Sequence, residues 1–186
     1  MLVALCAAGA MAGTIDFTFT GEASGTLDGT SFSATNLVIT GAYETESIYR
    51  RSTTSYAVLV DWISFAISGM SVVTVNDPVI LWVGNSSRVV GLNNNGTFGL
   101  FQAQSLDYFG NWFLSTPIGP VTTASGSIDS GSGSTQTTGG VLILTGFASP
   151  GTFTATAGTA AIPEPASFAL AGLGLAVAAL IRRRSL

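Results

Sequence analysis

Sixteen consecutive residues, Ala166–Ile181, carry no charge and only one hydroxyl, Ser167, and Arg182, Arg183 and Arg184 follow them directly. An α-helix rises about 1.5 Å per residue, so the run would cover roughly 24 Å, slightly less than the hydrocarbon core of a bilayer. Arginine side chains snorkel and bilayers thin to fit, whereas a helix apolar all round is poorly suited to a soluble surface. The run therefore reads as one short C-terminal transmembrane helix. By the positive-inside rule the three arginines form a cytoplasmic basic end, which leaves the N-terminal body outside the cytoplasm.

Pro163-Glu164-Pro165 stands just before the run. Two prolines keep this stretch extended and out of the helix, within reach of a protease beside the membrane. In this order, Pro163-Glu164-Pro165-Ala166, a short span containing Ala171-Gly172-Leu173-Gly174-Leu175 and the closing Arg182-Arg183-Arg184 resemble the PEP-CTERM sorting domain of Gram-negative bacteria. The resemblance implies recognition of the sorting motif Pro163-Glu164-Pro165 by an exosortase, a membrane transpeptidase. It also implies transient anchoring in the inner membrane, then release to the cell surface or the exopolysaccharide matrix. This is an address, and it leaves the activity open. The segments Phe17-Thr18-Phe19-Thr20-Gly21 and Gly139-Gly140-Val141-Leu142 also resemble other PEP-CTERM proteins, with no activity implied.

At the other end, Leu2–Gly9 is apolar and Ala10-Met11-Ala12 has the small-x-small form that signal peptidase cuts after. Residues 1–12 read as a signal peptide whose charged first segment is missing, as a truncated or misassigned start would leave it. Cleavage after Ala12 removes Cys6, the only cysteine, so the mature body is expected to hold neither disulfides nor thiolate ligands. Between Gly13 and Ile162 there are nine acidic residues and three arginines, a net charge of −6, which argues against nucleic acid as a partner.

The body, residues 13–160, reads as all-β. Ile15, Phe17 and Phe19 alternate with Asp16, Thr18 and Thr20, the period of a half-buried strand. Gly21, Gly25 and Asp28-Gly29 are read as turn residues, the last pair favouring a tight hairpin. Tyr56–Ile67, apolar on both faces, reads as one long strand in the middle of a sheet. Further strands are expected at Met70–Val75, Val79–Val83, Arg88–Leu92, Thr97–Ala103, Trp112–Leu114, Val141–Phe147 and Thr152–Thr156. The Ser/Thr/Gly-rich stretch Thr122–Gly140 reads as a long loop. About ten short strands joined by turns point to an antiparallel β-sandwich or jelly roll, followed by the sorting segment, residues 161–186.

The chain has no histidine and no lysine, so imidazole general bases, Ser-His and Cys-His nucleophiles and lysine-dependent phosphate loops are all excluded. Carboxylates remain for chemistry. Asp61 is the oddest, since it interrupts an apolar run where a buried acid needs a partner. Asp28-Gly29-Thr30 and Asp129-Ser130-Gly131 each offer one carboxylate, too few for a calcium cage, and no cofactor or metal is expected. Asn85-Ser86-Ser87 and Asn95-Gly96-Thr97 are read as exposed turns. Tyr108-Phe109-Gly110-Asn111-Trp112-Phe113 sets four aromatics around a Gly-Asn turn, and Tyr108 and Trp112 are the candidate carbohydrate contacts. The alternative for Trp112 is a place in a core strand, where Trp62 and Trp82 are also expected. Two functions stay open: a non-enzymatic surface or matrix protein associated with exopolysaccharide in a biofilm, and a secreted carbohydrate-active enzyme working through Asp and Glu. Scarce charge and absent histidine favour the first.

Overall fold

The alternation that begins at Ile15 does not stop at Gly21. In a computed structural model, which describes residues 13–94, 98–105, 107–123, 125–127 and 134–158, strand β1 (Thr14–Leu27) buries Ile15, Phe17, Phe19, Ala23 and Leu27 on one side. Its threonines, Asp16 and Glu22 face the other. Asp28 and Gly29, at φ 47° and 78°, then make the expected two-residue hairpin into β2 (Thr30–Glu44).

Gly21 and Gly25 are inside β1 and are not turns. A Cβ on Gly25 would lie 2.1 Å from the Ile143 carbonyl oxygen, and one on Gly21 would lie 3.1 Å from the Phe19 ring. Pairing registers slip at both points, so these glycines let neighbouring strands and rings approach where the ladder bulges.

The expected strand Tyr56–Ile67 is two strands. After a single 3₁₀ turn (Thr45–Ser47) come β3 (Tyr49–Ser52) and β4 (Ser55–Leu59), and then β5 (Trp62–Ile67). Val60 N–H donates to the Val79 carbonyl at 2.9 Å, and the next amide, Asp61 N–H, donates to the Ala42 carbonyl at 2.8 Å. Successive amides thus belong to different sheets. The run looked apolar on both faces because the chain changes sheet at Val60-Asp61: Val58 and Val60 enter the core from one side, Ile63, Phe65 and Ile67 from the other.

Next come β6 (Val73–Thr74), β7 (Val79–Gly84), β8 (Val89–Asn94) and β9 (Phe98–Gln104), where strands were expected. Residues 112–114, expected as a strand, follow a 3₁₀ turn (Phe109–Asn111) as irregular chain. β10 (Ile118–Thr123), β11 (Ser125–Ser127), β12 (Ser134–Thr137) and β13 (Gly140–Ala157) complete the body. Val141–Phe147 and Thr152–Thr156, expected as separate strands, are both parts of β13. Between them, residues 149–151 bulge opposite Gly21, since Ala148 pairs with Glu22 and Thr152 with Thr20. Pro150 fits there because the ladder is already interrupted.

Part of the expected loop Thr122–Gly140 is also strand. Its inward positions are threonines: Thr123, Thr135 and Thr137 are buried, and each hydroxyl finds a partner, Thr135 Oγ1 accepting from Asn94 Nδ2 at 3.4 Å. Thr123 Oγ1 donates to the Gly151 carbonyl and accepts from the Gly151 amide, and Thr137 Oγ1 donates to the Gly140 carbonyl at 2.6 Å. A threonine so bonded packs as a β-branched residue, although hydropathy counts it as polar.

All pairings are antiparallel. One sheet runs β10-β13-β1-β2-β5-β6, with β12 also on β13, and the other runs β11-β9-β8-β7-β4-β3. Their inner faces share one core, in which Phe19 of the first sheet meets Phe101 of the second at a centroid distance of 4.0 Å. The first sheet also closes at one end. Val75 bridges to Thr137, Asn76 N–H donates to the Gln136 carbonyl, and Thr138 N–H donates to the Thr74 carbonyl, joining β6 to β12 and covering the facing edges of these two strands.

The close approach at Gly25 is directly testable. Gly25→Ala is expected to cost about 1–3 kcal/mol through overpacking, whereas Gly146→Ala, whose new methyl would meet only Ser24 Cβ at 3.9 Å, should change stability by less than about 0.5 kcal/mol. Denaturant unfolding of the two variants measures the contrast, and equal losses would contradict the assigned packing.

Candidate functional site

The structure divides the aromatic cluster Tyr108–Phe113. Phe109 and Trp112 are buried, at 0% and 3% exposure, and Tyr108 and Phe113 are exposed. Trp112 packs edge-on against Phe153 at 5.5 Å and lies 6.1 Å from Phe109, and its Nε1–H donates to the Thr116 carbonyl at 2.8 Å. No indole face is left for a sugar, so the carbohydrate contact expected of Trp112 is corrected to a core role. It plugs the sandwich without being in a strand. Tyr108 stays on the surface, separated from the ring it was paired with.

Neighbouring polar groups hold this plug. Asn85 Nδ2 donates to the carbonyls of Phe109 and Trp112, at 2.9 and 2.8 Å, and Asn85 Oδ1 is buried without a hydrogen-bond partner. The side chain is half-buried and engaged, which corrects its reading as an exposed turn residue. Tyr43 is fully buried, its hydroxyl donates to the Leu114 carbonyl at 2.8 Å, and burial pushes its phenol pKa well above the ordinary value.

Trp62 and Trp82, expected in the core, lie on outer faces. Trp82 crosses the second sheet over Gly91, where a Cβ would stand 2.7 Å from the indole, and its Nε1–H donates to Asn93 Oδ1 at 2.9 Å. Trp62 is 50% exposed on the first sheet. Its cross-strand partner is Ala42, so only a methyl stands beside it there. The next row of that face carries hydroxyls across five strands: Thr154 pairs with Thr18, Thr18 with Thr40, Thr40 with Ser64 and Ser64 with Thr74.

Trp62 also borders the corner where the chain changes sheet. Leu59, Asp61, Trp62, Asn76, Asp77 and Pro78 line a pocket of about 260 Å³ there. Leu59 is 49% exposed, so an aliphatic and an aromatic side chain flank Asp61. Desolvation, and then repulsion from the Glu44 carboxylate, hold the Asp61 carboxyl above the usual carboxylate range although the residue remains exposed. The acid is accommodated by its position at the crossover. It sits in a bend between strands and does not point into the core. Asp77 Oδ2 accepts a long hydrogen bond from Asn94 Nδ2 at 3.4 Å. A second depression, about 370 Å³, lies over the β13 bulge and is lined by Thr20, Glu22, Asn36, Pro150 and Thr152. It has no aromatic wall. No group of three or more acidic, histidine or cysteine side chains suited to a metal occurs among the described residues.

The body therefore offers an aromatic corner with two carboxylates and an amide, and the remaining candidate residues lie in the tail. A protein-family model describing a protein-sorting motif matches residues 161–184, the stretch that holds Pro163, Glu164, Pro165 and Arg182–Arg184. The chain carries a PEP-CTERM protein-sorting motif. No curated protein and no solved structure matches the chain. The PEP-CTERM motif implies export, membrane anchoring before processing, and processing by an exosortase. Its residues, like the signal peptide expected over 1–12, lie outside those the structure describes. Among the described residues no helix is long and apolar enough to cross a membrane, and the expected span Ala166–Ile181 is outside that set.

The raised Asp61 carboxyl gives a pH prediction. A carboxyl with a higher pKa folded than unfolded opposes folding when ionised, so lowering the pH through the folded-state value relieves the protein. Asp61→Asn should therefore melt modestly higher than wild type at neutral pH. The difference should shrink as pH falls toward the unfolded-state value of about 3.9. Thermal midpoints across a pH series check this, and a variant less stable at neutral pH would contradict it.

Proposed function

We propose that this is an exported surface or extracellular-matrix protein of a Gram-negative bacterium, without catalytic activity, associated with exopolysaccharide in a biofilm. On this reading signal peptidase removes residues 1–12, Ala166–Ile181 anchors the chain in the inner membrane for a time, and an exosortase releases the body near Pro163-Glu164-Pro165. The observation that carries the proposal is the PEP-CTERM motif at residues 161–184. The body adds support: it is an acidic all-β domain without histidine or lysine, in which aromatic, amide, hydroxyl and carboxylate groups meet at the surface.

One observation favours a second reading, a secreted carbohydrate-active enzyme. Asp61 and Asp77 line the same pocket, and the upward shift of the Asp61 carboxyl is the direction a general acid needs. Release of reducing ends from a polysaccharide, lost in Asp61→Asn and Asp77→Asn, would establish the enzyme in place of the binding protein.

Processing has its own test. Glu164 is the sole carboxylate between two prolines beside an apolar span, so it gives an electropositive protease pocket a charge to recognise. Glu164→Ala should leave export intact and hold the full-length protein in the inner membrane, while wild type yields a surface form that ends near the motif. Cell fractionation with intact-mass measurement reads both. A wild-type surface form that retains Phe168–Arg184 would refute release and leave a permanent anchor.

A further inference from the structure

The geometry points to the Trp62 corner as the binding site for a neutral polysaccharide, with the indole as the stacking platform and Asp61, Asn76 and Asp77 bonding sugar hydroxyls. The inference rests on the reading of the chain as an exopolysaccharide-associated protein and names the site and the charge class of its ligand. Four observations on the structure carry it.

First, Trp62 is half exposed at the start of β5, paired with β2 on one side and beyond the reach of β6, which pairs only with Ser64 and Phe65. Burial in the core does not explain it, and Ala42, its partner on β2, leaves the ring uncrowded on that side. Sugar rings present a face of C–H groups, which packs well on the electron-rich face of an aromatic ring. Second, the pocket beside Trp62 places two carboxylates and one side-chain amide around that platform. Such groups accept and donate the hydrogen bonds that sugar hydroxyls offer in pairs, and a few placed polar groups in a mainly apolar pocket fix a ligand's orientation. Third, the surface next to Trp62 is the row Thr154, Thr18, Thr40, Ser64 and Thr74, an uncharged hydroxyl strip that continues across the sheet. A polymer seated on Trp62 meets more hydrogen-bonding groups along this strip: Thr40 and Ser64 bond each other at 2.7 Å and Thr74 donates to Thr138 Oγ1 at 3.4 Å, yet each hydroxyl pair keeps further lone pairs for sugar hydroxyls.

The fourth observation is charge. Asp61 and Asp77 stand in the pocket, Glu44 acts on Asp61 through its charge, and Asp16 lies in the Trp62 row, paired with Ala42. No arginine lines the pocket. An anionic polysaccharide would be repelled, so the ligand carries no acidic groups, and the uncharged hydroxyl strip beside Trp62 suits a neutral one. The same chemistry separates this site from Tyr108, which is exposed next to Asp107 but has lost Trp112 to the core.

Affinity electrophoresis of the processed surface form, purified from cells producing the full chain, tests the site. The probes are gels cast with laminarin, galactomannan or xylan as neutral polysaccharides, beside one cast with alginate as the anionic control. Wild type should be retarded in at least one neutral gel and not in alginate. Trp62→Ala should weaken that binding about tenfold or more, Trp62→Tyr should keep most of it, and Tyr49→Ala, at an exposed aromatic on β3 of the other sheet, should leave it unchanged. Circular dichroism confirms that each variant is folded, as expected for changes at exposed side chains. Retardation that survives in folded Trp62→Ala would overturn the site while leaving the exopolysaccharide reading in place. No retardation in any neutral gel, or retardation in alginate alone, would overturn the neutral-glycan assignment. In neither case is exosortase processing affected, because the mass of the surface form tests it separately.

Discussion

Phe153 is where the first and last described strands meet the 109–114 segment. It is paired across the strands with Phe19, lies 6.4 Å from Phe17, and takes the edges of Phe109 and Trp112 at 5.7 and 5.5 Å. The N-terminal strand, the last strand and the 109–114 segment are thus locked through one ring. The body has no cysteine and the chain has no histidine, so neither disulfides nor imidazole-bound metal can take over this task. Removing such a ring costs about 3–5 kcal/mol in a typical core, a large share of the 5–15 kcal/mol that holds most domains folded. The hydrogen bonds from Asn85 and Tyr43 to the backbone at 109–114 make sense in this light, because they anchor an irregular segment whose rings the core cannot spare.

How far the fold could be read from residues depended on whether hydropathy and geometry agreed. They agree over Ile15–Thr20, where the period of two is plain, and at Asp28-Gly29, which makes the tight hairpin, but not at Gly21 and Gly25, which look like turns although β1 runs on through them. They part company at Tyr56–Ile67. Apolar residues on both faces have two physical causes, a central strand or a strand that changes sheet, and the amides of Val60 and Asp61 show the second. They part again between Thr122 and Gly140, where buried threonines satisfy their hydroxyls locally and so hide strands within a polar stretch.

The candidate sites show the same division. The PEP-CTERM motif was legible because a linear recognition signal consists of residues in order, and no folding is needed to assemble it. The aromatic surface was not legible. A tryptophan in an alternating strand points inward or outward according to register, and register is set by partners distant in sequence. Trp82 covers Gly91 and Trp62 stands beside Ala42, so small residues on neighbouring strands decide where an outer-face indole fits. Trp112, in contrast, lies outside any strand, and its burial follows from the hole that Phe109, Phe153 and the Asn85 amide leave for it.

The arrangement of tryptophans places Trp112 in the lock of the fold and leaves Trp62 half exposed on an outer face. Brief oxidation of the native protein with N-bromosuccinimide, followed by peptide mass mapping of all three tryptophans, tests it most directly. Trp62 should be oxidised first, and Trp112 should react only when the protein unfolds. Oxidation of Trp112 as fast as Trp62 in protein that remains folded would contradict this arrangement.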